Sequence, residues 1–244
     1  MQTPAYVDPD KDSYSVSRLT LSHPNYPAVL CTLFDPPALL YAQGDLRIFD
    51  KPAVAIVGSR RCSASASALA FDLAREVASR GWCVVSGLAR GIDTAAHQGA
   101  LAAGVPGSTI AVLGTGIDVV YPPENTALAR SIVDADGLLL TALAPGSPPL
   151  ARHFPQRNRL VAGLSRAAVI VQAARASGSM ITARLATEMG RDVLAVPGRA
   201  GDPLSAGTHD LIRQGAGLLE TVDDLWAAFG LYHQSTDQSD KKTR

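Results

Sequence analysis

The chain has 244 residues, enough for one large α/β domain with short extensions. It is 47% hydrophobic but only 5% aromatic, a mixture that suits helices packed on a parallel sheet better than a β-sandwich. Its 22 basic and 22 acidic residues cancel, so bulk charge points to neither nucleic acid nor membrane and any anion site must be local.

In chain order, residues 1–18 are polar and are expected to be disordered. Residues 19–50 are Pro-rich with scattered apolar side chains, and read as an arm packing on the core. An alternation of short apolar runs and helical patterns then occupies residues 51–232. Ala53–Val57 is the first strand; the Leu69, Leu73, Val77 stripe is a helix ended by Gly81; Cys83–Ser86 is the second strand. Ile92–Ala103 is a helix, Thr109–Leu113 a strand, and Asn125–Val133 a helix capped by Asn125. Leu138–Leu140 is a strand, Asn158–Leu164 a short helix, Ala167–Val171 a strand, Thr182–Met189 a helix and Val193–Val196 a strand. His209–Gln214 and Val222–Phe229 are late helices, and residues 233–244 form a polar tail expected to be disordered. This alternation predicts an extended Rossmann-like α/β fold: a doubly wound, mainly parallel sheet with helices on both faces.

The turns after the strands carry the chemistry. The first strand runs into Gly58-Ser59-Arg60-Arg61 and the second into Ser86-Gly87-Leu88-Ala89-Arg90-Gly91. The third reaches Gly114-Thr115-Gly116, the fifth is followed by Ser177-Gly178-Ser179, and the sixth reaches Pro197-Gly198. In a parallel sheet all of these lie on the carboxyl edge, where open α/β sheets bind ligands. Glycines there let backbone N–H groups approach a phosphate, and helix N-termini add positive potential. Neither G-x-G-x-x-G after the first strand nor a Walker A run is present, which disfavours the familiar dinucleotide and ATP sites.

A second cluster, Arg152-His153-Phe154-Pro155-Gln156-Arg157-Asn158-Arg159, sets three arginines around one ring. Such a group suits a single-strand site in which a base stacks and cations follow the backbone; equally it suits a basic surface loop with Phe154 tucked into the core. His97, four residues after Asp93, is expected to fix its helix start by a hydrogen bond to that acid rather than to form a catalytic pair with it, and Glu124 to lie in the first turn of a helix rather than to serve as an acid. The five histidines lack metal-ligand spacing, the three cysteines lack C-x-x-C, and no nucleophile elbow occurs, so neither metal nor cofactor is expected. With no signal-peptide pattern and no membrane-length apolar run, the expected location is the cytoplasm.

The run Ala55–Arg60 with Val84–Asp93 resembles the DNA processing protein A (DprA/Smf) family. The likeness continues through Ala111–Gly116, Tyr121–Asn125, Phe154–Arg159, Ala162–Ser165, Ser177–Ala183, Ala195–Gly198 and Leu211–Ala216, and covers roughly residues 19–220. The resemblance implies a non-enzymatic protein that binds single-stranded DNA, protects incoming strands in natural transformation, helps load RecA and forms a homodimer. It implies phosphate contacts from Gly58, Ser59 and Arg60, a base stacked on Phe154, and a pocket completed by Arg157, Asn158, Arg159, Ser177, Gly178 and Ser179. Arg61, Ser86, Gly87 and Arg90 join this expected set from the neighbouring turns. The sequence departs from the family where Ala142 and Gln172 replace its usual acids, and at this length it is expected to lack the usual flanking domains. The competing reading is an enzyme or sensor acting on a small nucleotide; related enzymes carry P-G-G-x-G-T-x-x-E, and the nearest stretch here, Ser177–Glu188, has the acid but no glycine run.

Overall fold

A computed structural model describes residues 5–6 and 15–231. The expected tail at 233–244 and most of the expected disordered segment therefore lie outside the described residues. The parts of the N-terminal segment that are described depart from that expectation. β1 (Ala5–Tyr6) pairs with β7 (Val119–Val120), and β2 spans Ser17–Thr20.

The expected arm is not laid over the core but built into its sheet. After the short α1 (Ala28–Cys31), β3 (Leu39–Gly44) pairs antiparallel with β2 and with β8 (Leu138–Thr141). Gly44, at φ +123°, lies against the Gly137 carbonyl, where a Cβ would collide with backbone.

The remaining strands are β4 (Ala53–Val57), β5 (Cys83–Ser86), β6 (Thr109–Val112), β9 (Ala167–Ile170), β10 (Asp192–Ala195) and β11 (Gly217–Leu218). The nine-stranded sheet has the order β11-β10-β9-β4-β5-β6-β8-β3-β2, and every pair from β11 to β8 is parallel. The chain runs outward from β4 to β8, then returns to the other side of β4 for β9 to β11. Its topological switch point thus lies between β4 and β9, the place where a crevice opens at the strand ends.

Both faces of the sheet are covered, which is why its central strands are apolar at every position rather than at alternate ones. Val54, Ile56 and Val84 pack against α2 (Ala64–Ser79), α3 (Ile92–Ala102) and α8 (Val222–Ala228). α4 (Thr126–Asp134) covers Ala111 and Leu139 on the same face. Ala55, Val57, Val85 and Val112 face α5 (His153–Gly163) and α6 (Gly178–Glu188). α7 (Ala206–Arg213) packs near β10. Ser63 caps α2 by accepting from the Ala66 N–H, worth about 1 kcal/mol. Gly99 lets α3 approach α2 so closely that a Cβ would strike the Phe71 carbonyl carbon at 2.8 Å.

Two helices start earlier than the sequence pattern suggests. α5 begins at His153, not Asn158, because Pro155 falls in its first turn, where a missing N–H costs nothing. α6 begins at Gly178, not Thr182, so Ser177-Gly178-Ser179 is a capped helix N-terminus rather than a free turn. Asn125 does not cap α4 with its side chain; its Nδ2 donates instead to the Leu88 carbonyl at 2.9 Å and to Thr94 Oγ1.

Candidate functional site

At the switch point a cavity of about 710 Å³ opens on the carboxyl edge. Of the expected site residues, Gly58, Ser59, Arg60, Arg61, Gly87, Phe154, Arg157, Asn158, Ser177, Gly178 and Ser179 line it. Ser86, Arg90 and Arg159 do not.

The turn after β4 forms one wall. Gly58 is required by close packing, since a Cβ would meet Ile92 at 2.7 Å and the Gln172 carbonyl oxygen at 2.9 Å. The Ser59 N–H donates to that carbonyl at 2.7 Å, its own carbonyl accepts from Ile92, and its hydroxyl accepts from the Arg61 N–H. The Ser59 backbone groups therefore hold the turn's shape, while its hydroxyl keeps a proton to donate. The turn also presents the side chains of Arg60 and Arg61, both exposed and, among the described residues, in no ion pair.

Phe154, in the first turn of α5, is half-buried at the centre of the site. The Arg60 guanidinium lies 5.4 Å from its ring centroid and that of Arg157 5.9 Å away, both within cation–π range. Tyr121 leans on the same ring at 5.9 Å and 51°. The ring fits because position 114 is glycine: a Cβ there would come within 2.8 Å of Phe154 Cδ1. The alternative of a Phe154 tucked into the core is not what the structure shows. Tyr121 and Asp93 also line the cavity, and the sequence reading had not placed them there. Tyr121 leaves only the weak signal of a lone aromatic after a strand.

Arg157, on the next turn of α5, is buried, with 6% of its surface exposed. Its Nη1 donates to the carbonyls of Val112, at 2.6 Å, and Gly87, and its Nε donates to Asn158 Oδ1. A Cβ on Gly87 would collide with this guanidinium. Burial pulls the Arg157 pKa down to about 10, with Asp93 opposing the shift, so the group stays charged at neutral pH. Asn158 donates to the Gly178 carbonyl at 3.1 Å, tying α5 to the start of α6. Ser177 Oγ and Ser179 Oγ lie 2.8 Å apart at that start. The N-terminus of an eleven-residue helix thus lines the same cavity as Arg60.

The second turn is held from below. Asp93 Oδ2 accepts from the N–H groups of Gly87 at 3.0 Å and Ala89 at 3.3 Å. This clamps Leu88 in a left-handed conformation, φ +56°, which a leucine rarely adopts. Burial pushes the Asp93 carboxyl upward, opposed by Arg157, the two amides and Arg60. The expected Asp93–His97 hydrogen bond is not formed. His97 Nδ1 instead meets Thr109 Oγ1 at 2.7 Å, and Thr109 donates onward to the Val84 carbonyl. The hydroxyl proton being spent, Nδ1 carries the imidazole proton and Nε2 is an unpartnered buried acceptor. Burial lowers the His97 pKa to about 3.

The remaining expected residues are occupied elsewhere. The Ser86 hydroxyl donates to the Ile56 carbonyl inside the sheet. Glu124 lies in the first turn of the 3-10 helix Pro123–Asn125, as expected, and Arg90 forks onto its carboxylate. Arg159 pairs with Asp35 at 3.1 Å. Neither position that departs from the family pattern lines the cavity. Ala142 is exposed, while Gln172 accepts from the Ser63 N–H and braces the start of α2. Among the described residues no helix is long and apolar enough to cross a membrane, and no cluster could hold a metal ion.

Comparison with known proteins gives concordant matches. The sequence profile of the family described as DNA recombination-mediator protein A matches residues 17–230. The DNA processing protein DprA of Streptococcus pneumoniae is 46% identical over 204 residues, covering 84% of this chain and 71% of the relative. The X-ray structure of DprA from that organism matches with a TM-score of 0.81 at 43% identity, over 86% of this chain and 73% of the other. A structure giving insight into the single-stranded DNA binding mode of DNA processing protein A from Helicobacter pylori matches with a TM-score of 0.80 at 34% identity. That match covers 91% of this chain and 99% of the other.

Proposed function

Since the chain belongs to the DNA recombination-mediator protein A family, we propose that its carboxyl-edge cavity holds single-stranded DNA and that the protein protects incoming strands during natural transformation. The single observation that carries this reading is the pairing of Arg60 with the half-buried Phe154 ring in the cavity that the N-terminus of α6 also lines. A polynucleotide needs these parts: an aromatic face for a base, and fixed cations with N–H dipoles for phosphates on either side. Arg60 and Arg61 contact phosphate, Phe154 stacks on a base, and Ser177, Gly178 and Ser179 supply helix-terminal donors. Arg157 and Asn158 hold this arrangement in place rather than contacting the backbone themselves.

The domain between residues 51 and 232, with the strands at 17–20 and 39–44, forms the DNA-binding core. The protein acts by binding, without catalysis, as a cytoplasmic homodimer, and hands its strand to RecA; the support for these features is the family's recombination-mediator role. A binding titration of an unlabelled against a fluorescent oligothymidylate tests the site. Phe154→Ala is expected to weaken binding about 10-fold through lost stacking. Arg60→Ala is expected to lower the slope of log affinity against log salt by about one. Unchanged affinity and slope in both variants would overturn the assignment.

A further inference from the structure

The helix that carries Phe154 also holds the fastenings of a second aromatic ring, outside the cavity. Phe34 stands entirely in solvent, at 104% of its reference exposure. The other exposed large apolar side chains among the described residues, Leu21, Leu218 and Leu231, keep more than half of their surface covered. The loop beneath Phe34 is nevertheless braced on both sides. Leu33, the residue before it, is buried, and its Cδ1 lies 3.1 Å from where a Cβ on Gly163 would stand. Asp35, the residue after it, pairs with Arg159 at 3.1 Å. Arg159 and Gly163 are one turn apart on α5, so both neighbours of Phe34 are fastened to one stripe of that helix. Pro36 and Pro37 stiffen the chain that follows, and the Tyr26 hydroxyl donates to the Pro37 carbonyl at 2.7 Å. The ring is held out in water by a fixed loop.

The stripe that fastens this loop continues, one turn earlier on α5, to Pro155, which lines the cavity. From Phe154 to Arg159 the helix rises only about 7.5 Å, so the footing of the second ring lies a short step from the first. On the surface Phe34 is flanked by exposed Thr32 and by the Asp35–Arg159 pair. A single ring among polar neighbours is not the contiguous apolar patch that a protein partner covers. It matches one nucleobase, whose face is all that stacking uses. The ion pair beside it has no net charge, so a passing phosphate is not turned away. We propose that Phe34 is a second base-stacking platform, taking a base of the strand after it leaves the cavity along α5. This rests on the single-strand reading above and extends its footprint beyond the cavity. Phe154 serves strands of any length, whereas Phe34 serves only those long enough to reach it.

The test uses the full chain and oligothymidylates of about 4 and about 16 nucleotides, the range of single-strand site sizes. Phe34→Ala is expected to bind the long strand about 10-fold more weakly through lost stacking, with an unchanged salt slope because no charge is removed. Its affinity for the short strand and its thermal stability should match the wild type, since the side chain packs on nothing. Phe34→Trp is expected to keep wild-type affinity and to gain a tryptophan fluorescence signal that the long strand quenches. That quenching must exceed the change in the wild type, whose tryptophans are the buried Trp226 and the half-buried Trp82. Wild-type affinity of Phe34→Ala for the long strand, or an equal loss on both strands, would overturn the inference and leave the single-strand reading intact. So would a Phe34→Ala protein with intact affinity and a changed sedimentation coefficient, which would make the ring a contact between protein chains. Failure of the wild type to bind either strand would overturn both. The tryptophan signal decides the matter on the long strand alone: no quenching beyond the wild type overturns the platform.

Discussion

Two ends of the sheet use the same materials, arginine over aromatic ring, to opposite effect. At the amino edge Trp82 stacks on Phe229 at 4.9 Å and 21° and meets Trp226 edge-on at 5.3 Å. Arg166 lies over both Trp82 and Phe229, and Arg80 lies 4.8 Å over Trp226 while paired with Glu76 and Asp223. There the rings spend their faces on one another, and Arg80 is neutralised by two acids. At the carboxyl edge Phe154 is flanked by two arginines and one tilted ring, and among the described residues Arg60 is in no ion pair. The first cluster fastens α8 to the domain; the second is left unsaturated. An arginine–aromatic group is structural or ligand-ready according to whether its ring faces and charges are already consumed.

Substitutions can break or sharpen this contrast. The largest effect is expected from Trp226→Ala, which empties a site with 2% exposure. It should cost about 3–5 kcal/mol in urea denaturation, with DNA affinity unchanged under conditions where the protein stays folded. A loss of affinity at constant stability would erase the distinction between the two ends.

Arg157→Ala comes next. It strips the donor from the carbonyls of Gly87 and Val112 and removes the cation nearest Asp93. A loss of about 3 kcal/mol of stability is expected. An Arg157→Ala protein as stable as the wild type but unable to bind would make Arg157 a contact residue and not a brace.

The layer beneath the open site carries a pH signature. His97 has a folded pKa of about 3, below its ordinary value, so the unfolded chain binds a proton that the folded chain refuses. Stability from this group is full above about pH 6.5 and falls as pH drops towards 3, with a limiting slope of about 1.4 kcal/mol per unit. Asp93, raised by burial, contributes the opposite slope above the ordinary carboxylate pKa, so a difference between variants isolates His97. His97→Gln is expected to flatten the acid limb of a stability–pH curve relative to the wild type. An unchanged limb would mean that the imidazole does not set it.

The smallest effect belongs to the one arginine near the cavity whose charge is already answered. Glu124→Gln removes the acid from Arg90. Binding at low salt is expected to tighten by about twofold, as for an exposed ion pair, and the gain should vanish at high salt. Weaker binding would show Glu124 to be part of the interface.

The parallel core was legible in the sequence because strands buried on both faces are continuous apolar runs, and the turns after them carry glycine. The antiparallel extension was not, since prolines around Leu39–Gly44 hide a strand that becomes regular only against β8. The same limit hid the start of α5: Pro155 is a breaker in general and harmless in a first turn. Arg60 and Arg157 look alike as letters in a basic run. Only packing separates them, because α5 points one guanidinium between two carbonyls inside the domain while the turn after β4 leaves the other over an exposed ring.

Sequence alone determined the class of fold, the edge on which the chemistry gathers and the residue types that meet there, since these follow from periodicity and from which turns follow strands. The tertiary structure decided which of those residues are free. Ser86 and Arg90 spend their hydrogen bonds internally, and Asp93, which the sequence marks only as a partner for His97, instead holds the turn after β5 at the cavity wall. Which bonds a side chain has left to give depends on neighbours distant in sequence and adjacent only after folding, and that count is what makes a residue a ligand or a brace.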